Sequence, residues 1–250
     1  MSSQKSNVGE QAISKLAEEG IKSQLDQVES LDVDIHTNPG KIARGEVDDV
    51  TIEGHGMVIQ NDLRTEEMTL HTNAVDIDMM KAAFGSIELE HSTDATMRVV
   101  LKAEDIQNAF NADYVQKKLR GQKVELPSGE KITTDASNVS FTIPEAGRIA
   151  VAADVMIFEK VETHHISLSA KPTLIADGQG VTLEDVSYDD ASNDMPELTQ
   201  ALIDTTESLL DLRYFELEGM SLQFNQLTVE EDAIIIQAEA TISSFNGSAA

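Results

Sequence analysis

Between residues 9 and 30 the apolar side chains Ile13, Leu16, Ala17, Ile21, Leu25 and Val28 return every three or four positions, with Lys, Glu, Gln and Asp on the other face. That spacing predicts an amphipathic helix of about twenty residues. Gly20 lies in its middle, costs about 1 kcal/mol relative to Ala, and is expected at a bend or tertiary contact. Beyond residue 30 the period changes to two. Val50-Thr51-Ile52-Glu53, Ile87-Glu88-Leu89-Glu90 and the run from Ala95 to Leu101 alternate apolar with polar, as strands with one wet face do. Turn signals at Asn38-Pro39-Gly40 and Gln60-Asn61-Asp62 separate three such runs and predict an antiparallel meander. Helical spacing returns over 103–119 through Ile106, Ala109, Phe110, Tyr114 and Leu119, with Gly121 as the stop.

Residues 121–138, with Pro127-Ser128-Gly129 inside them, read as an exposed hairpin or loop. Three strands are expected next, over 139–143 ending at Pro144, over 149–157, and over 166–170. Asp177-Gly178-Gln179-Gly180 is a turn into 181–188. The string Asp194-Met195-Pro196-Glu197 combines a cap, an early proline and a glutamate three residues on, and so announces a helix. Its stripe is Leu198, Ala201, Leu202, Thr205, Leu209 and Leu212. Alternation over 220–229 and 233–244 closes the pattern with a hairpin. No break in composition divides the chain, so we expect one α+β domain over 8–245 with flexible termini at 1–7 and 246–250.

Charge narrows the partners. Eighteen Lys and Arg against 45 Asp and Glu leave −27 over 250 residues. A field of that size repels nucleic-acid backbones, so no nucleic-acid partner is expected. There is no cysteine, which removes disulfides, thiolate metal sites and cysteine nucleophiles. No apolar run approaches the length of a bilayer span, and the first ten residues read as neither signal nor anchor. A soluble, cytoplasmic protein, peripheral to a membrane at most, is the expectation.

Candidate chemistry is sparse. The six histidines, at 36, 55, 71, 91, 164 and 165, never stand at the spacing that puts two imidazoles on one face, and are read as solvent-facing or hydrogen-bonded. Gly54-His55-Gly56 and Gly178-Gln179-Gly180 lack a phosphate-loop pattern and read as turns or bulges. No nucleophile elbow or comparable motif is present. The expectation is therefore no catalytic residues, no metal and no cofactor. One cluster stands out, because Lys117, Lys118, Arg120 and Lys123 gather four basic residues at the end of the middle helix. Two readings stay open: cations complementing a helix C-terminus, or a contact with anionic headgroups or an acidic partner.

The stretch 31–57, LDVDIHTNPGKIARGEVDDVTIEGHGM, carries an opening strand at Val33, a glycine at 45 before the next strand, and Gly54 and Gly56 behind Val50-Thr51-Ile52. With the strand from Leu70 to Ile77 and the helix entry at 101–110, LKAEDIQNAF, it resembles the LmeA-like phospholipid-binding family, in a cyanobacterial-type form. The resemblance implies a strongly curved antiparallel sheet wrapped around long amphipathic helices, like the tubular lipid-binding (TULIP) superfamily. It also implies an apolar interior for acyl chains, and no catalytic residues.

Physical chemistry gives that implication a scale. Each CH₂ moved from water into a dry cavity is worth roughly 0.8 kcal/mol, so a sixteen-carbon chain gains on the order of 10 kcal/mol before its ordering costs. The expected lining is Ile13, Leu16, Ile21, Leu25, Val28, Leu202 and Leu209, and small alanines on the second face of 149–157 leave room on a curved sheet. The expected function is a non-enzymatic lipid-binding or lipid-transport protein with a lipid or other hydrophobic ligand and transient membrane contact. The alternative is an assembly protein with a filled core that binds a protein partner through its acidic surface.

Overall fold

The computed structural model describes residues 8–59, 62–77, 88–175, 177–188, 196–209 and 220–244. Its elements are α1 (Val8–Lys22), β1 (Ser30–His36), α2 (Pro39–Ile42), β2 (Glu46–Val47), β3 (Asp49–Ile59), β4 (Leu63–Thr72), β5 (Val75–Asp76) and β6 (Glu88–Lys102). There follow α3 (Ala103–Asn111), α4 (Asp113–Leu119), β7 (Gln122–Glu125), β8 (Lys131–Glu145), β9 (Arg148–Ile157), β10 (Glu162–Leu174) and β11 (Val181–Tyr188). α5 (Pro196–Leu209), β12 (Met220–Val229) and β13 (Ala233–Ser244) complete the order. The fold is α+β and mostly β, with a strongly curled antiparallel half-barrel sheet and a few helices.

The strands divide between sheets. One has six strands in the order β1-β3-β4-β6-β13-β12, a second has five in the order β11-β10-β9-β8-β7, and β2 pairs with β5 alone. The late hairpin β12–β13 thus enters the first sheet beside β6, a pairing between distant parts of the chain. The two large sheets meet at the β12 edge. There Gly147 N–H donates to Val229 O at 2.9 Å, and Phe224 N–H donates to Gly178 O at 2.7 Å. An apolar cluster of Phe141, Ile149 and Val229, with Ile106, Phe110 and Leu183 against it, fills the junction.

Several expected boundaries move. The first helix ends at Lys22 rather than near residue 30, because Asp26 and Gln27 turn their amides to Val58 O and Val58 N–H returns a bond to Gln27 O at 2.8 Å. Leu25 and Val28 keep the helical period but pack from this extended segment. The middle helix is two helices, broken at Ala112, which is buried and extended at φ −67°, ψ 144°. Asn111 at the break donates from its side-chain amide to Val139 O at 3.0 Å, tying the corner to β8.

Residues 121–138 do form a hairpin, but not an exposed one. Val124, Leu126 and Ile132 are buried with Leu198 and Ala201 of α5 in one cluster. The strand expected to stop at Pro144 runs on to Glu145, with the register shifting between Thr142 and Glu145 where the proline, lacking an N–H, sits exposed. Of the helix expected over 194–212, residues 196–209 are described as helical; its start and end lie outside the described residues.

Candidate functional site

Because cross-strand partners share a face and the side-chain period is two, the register of the six-stranded sheet sorts its residues cleanly. Three successive rows cross all six strands on one face. They are Ile35–Val50–Thr72–Ala95–Ala240–Leu222, Val33–Ile52–Leu70–Met97–Ala238–Phe224 and Leu31–Gly54–Met68–Val99–Ile236–Leu227. The rows between them are polar throughout: Asp34–Thr51–His71–Thr96–Glu239–Gln223 and Asp32–Glu53–Thr69–Arg98–Gln237–Gln226. The sheet is therefore amphipathic across its whole width. Thr72 alone places a polar group in the apolar rows, and its buried hydroxyl has no hydrogen-bond partner.

Cover on the apolar face is uneven. At the β1 edge Ile13, Ala17 and Ile21 of α1 pack on a cluster of Leu31, Val33, Ile35, Val47, Met57 and Val75. At the far end Ala95, Ala240 and Ile242 form a buried group with Leu89 and Leu222. Between them Leu70, Met97, Val99, Ile236 and Phe224 stay half-buried. The stripe continues along β6 to Leu101, on the wall of an open, mainly apolar pocket of about 280 Å³ lined also by Ile59, Leu63, Ile106, Ala109, Phe110 and Val115.

A charge network borders this cavity. Arg64 donates to Asp105 at 2.8 Å, to Glu66 at 2.6 Å and to Glu29 at 2.8 Å, while Lys102 pairs with Glu66 at 2.9 Å. The bond from Lys102, and then that from Arg64, holds the Glu66 carboxyl below its ordinary range. Three carboxylates thus neutralise Arg64, and the network ties the β3–β4 hairpin to α3 and to the segment before β1. The basic cluster lies just beyond Val115. Lys117, Arg120 and Lys123 are exposed and, among the described residues, have no ion-pair partner, whereas the side chain of Lys118 lies outside the described residues.

The residues chosen from sequence as lining fall in two groups and one exception. Ile13, Ile21, Leu25 and Val28 pack on the sheet's β1 edge. Leu202 packs on the core of the second sheet. Leu16 is 74% exposed, on the outer side of α1. The side chain of Leu209 lies outside the described residues. Neither cavity described in this section is lined by any of these residues. The alanines of β9 also differ from expectation: Ala150 and Ala152 sit opposite Thr142 and Ser140 on one side and Ser169 and Ser167 on the other, a small but weakly polar face. Sequence reasoning missed the half-buried stripe of β4, β6, β12 and β13. Its alternation was visible, but the neighbours of each strand were not.

Histidines take ordinary partners. His36 Nδ1 lies 2.9 Å from Asp49, His165 Nδ1 lies 2.9 Å from Asp154, and His71 Nδ1 lies 3.0 Å from Thr51 Oγ1. The bond to Asp49 raises the His36 pKa. Among the described residues no three His, Asp or Glu side chains gather as a metal site. A second cavity, of about 440 Å³, opens on the polar face, over β6, β12 and β13.

Among the described residues no helix is long and apolar enough to cross a membrane. No curated protein and no solved structure matches the sequence significantly. A family model does align, over residues 5–239, and the chain belongs to the LmeA-like phospholipid-binding family.

Proposed function

We propose that the protein is a non-enzymatic phospholipid carrier that works at a membrane surface from the cytoplasm. An acyl chain lies along the half-buried stripe Met97–Val99–Leu101 and enters the cavity at Ile106 and Phe110, with the headgroup toward Lys117, Lys118, Arg120 and Lys123. The observation that carries this reading is a stripe of half-buried apolar side chains along the middle of the apolar sheet face. Leu70, Met97, Val99, Ile236 and Phe224 keep part of their hydrocarbon area in water, which an acyl chain removes at roughly 0.8 kcal/mol per CH₂. The basic cluster adds a local attraction for an anionic headgroup in a chain whose overall charge of −27 would otherwise oppose it.

The test uses the full chain. Native mass spectrometry of protein purified from a lipid-replete host is expected to show bound phospholipid. A phospholipid with a diazirine at the acyl end is expected to label β6, β13 and α3 on irradiation. Absence of bound lipid together with absence of labelling would favour the filled-core assembly protein, and labelling confined to α1 would return the site to the β1 edge.

A further inference from the structure

The cavity of about 440 Å³ lies on the polar face of the six-stranded sheet, away from the stripe that the lipid reading uses. We infer that it is a binding site for a neutral, polyhydroxylated ligand of sugar size, either a free sugar or the sugar headgroup of a neutral glycolipid. Its volume falls within the range of small-molecule sites, roughly 300–1,000 Å³.

The wall chemistry selects the ligand. Asp94 and Glu239 both stand on the cavity, and the register sets them diagonal, since Asp94 faces Thr241 and Thr96 faces Glu239. A carboxylate only accepts hydrogen bonds; Asp94 takes one from Thr241 Oγ1 at 3.2 Å and keeps lone pairs for another donor, while Glu239 calls for a donor from the ligand. The amides of Gln179, Gln223 and Asn73 offer both donor and acceptor, as does the hydroxyl of Thr96. A ligand hydroxyl donates and accepts at once and so matches both kinds of wall group. A phosphate or carboxylate supplies acceptors alone, and would approach two carboxylates in a chain of net charge −27. An alkyl chain would strip water from these polar groups without replacing its hydrogen bonds.

Ala95, Ala240 and Leu222 turn their side chains to the other face and give the cavity only their backbone, so its floor is peptide and its walls are polar side chains. Both sheets build the site. The turn at 177–180 is held against β12 by Phe224 N–H on Gly178 O at 2.7 Å and by the Gln223 amide on Asp177 O at 3.2 Å, which brings Gln179 to the cavity. The described lining has no Phe, Tyr or Trp, so the stacking that strengthens many sugar sites is confined to the His71 imidazole, and weak, roughly millimolar binding is expected.

Saturation-transfer NMR and calorimetry on the full chain test this with neutral hexoses and disaccharides, a hexose phosphate, and ethanolamine. Saturable millimolar binding of a neutral sugar is expected, with the phosphate ester and the amine at least ten-fold weaker. Glu239→Ala should weaken sugar binding about ten-fold or more, and Glu239→Gln less, because the amide keeps one acceptor. Thermal melting of both variants checks that the fold is kept.

Methyl glycosides against vesicles of glycosyl diacylglycerol at matched sugar concentration separate the two sources. Saturation by the glycoside supports a free sugar, and binding of the vesicles alone supports a headgroup. No binding in either form, a preference for phosphate or amine, or indifference to Glu239→Ala in a folded variant would overturn the inference. Because Glu239 is on the opposite face from the acyl stripe, its variants should leave diazirine labelling unchanged, so failure of this site and failure of the lipid site read out separately.

Discussion

Replacing Gly178 by Ala tests how the two sheets are joined. Gly178 has φ +67°, a left-handed conformation that costs an L side chain about 1–2 kcal/mol. A Cβ added there would stand 2.3 Å from Phe224 O and 3.0 Å from Gln223 Cγ. The near atom is backbone in β12, so the clash is relieved only by moving the turn away from the strand. That movement breaks the 2.7 Å bond from Phe224 N–H to Gly178 O, worth about 1 kcal/mol. Conformational strain and the lost bond sum to about 2–3 kcal/mol.

Gly129→Ala is the control. Gly129 has φ +85° with nothing within 4 Å of an added Cβ, so only the conformational cost of about 1–2 kcal/mol remains. Thermal unfolding followed by circular dichroism should place Gly178→Ala roughly 4–12 °C below the parent and several degrees below Gly129→Ala, itself roughly 2–8 °C below the parent. Urea titration gives the same comparison in free energy. Equal losses for the two variants would refute the claim that the turn at 178 bears on β12.

Other predictions concern the core, the basic cluster and pH. Ile157→Ala, in a fully buried side chain of the second sheet, should cost about 2–5 kcal/mol, whereas Leu16→Ser on exposed α1 surface should cost under about 0.5 kcal/mol in the same titration. Changing Lys117, Arg120 and Lys123 together to Gln should weaken binding to phosphatidylglycerol vesicles by about 100-fold at low salt, at about 1 kcal/mol per charge, and unchanged sedimentation with the vesicles would end the headgroup reading. His36 contributes stability below its unfolded value near 6.5 and loses it as pH rises through its raised folded value; an NMR titration should show that rise shrink in Asp49→Asn, with Asp34 and Glu10 left to sustain the remainder. Glu66 behaves oppositely: its depressed pKa gives stability above the ordinary glutamate value that is lost as pH falls through the folded one, and Lys102→Gln should move its titration back up.

What the sequence revealed and what it hid follow from range. Alternation is a local property, so the faces of β6 and β13 were legible from residues 95–101 and 234–242 alone. Which strand lies beside which is not local. The pairing of Met97 with Ala238, and the division of the strands between two large sheets, depend on contacts between distant segments that no single period records. Helix ends were misread for a related reason. Leu25 and Val28 continue a helical stripe, yet the competing bonds to Val58 end the helix at Lys22.

The lining expected from the two amphipathic helical stripes is spread out by the fold: Ile13, Ile21, Leu25 and Val28 lie at the β1 edge, Leu202 on the second sheet and Leu16 on the surface, because a helical period does not record which sheet the helix meets. The basic cluster was visible in the sequence. With the fold, Arg64, Arg98 and Lys102 find carboxylates through tertiary contacts, while Lys117, Arg120 and Lys123 have no ion-pair partner among the described residues.

The position of β13 between β6 and β12 has a consequence for synthesis. Ribosomes deliver β6 long before Ala233, its partner at Lys102, emerges. Throughout that interval the nascent half-barrel shows a raw margin with unanswered amides and an oily flank. The last-made ribbon works as a closing seam, and a ribosome stalled short of residue 233 should leave a sticky, protease-sensitive intermediate.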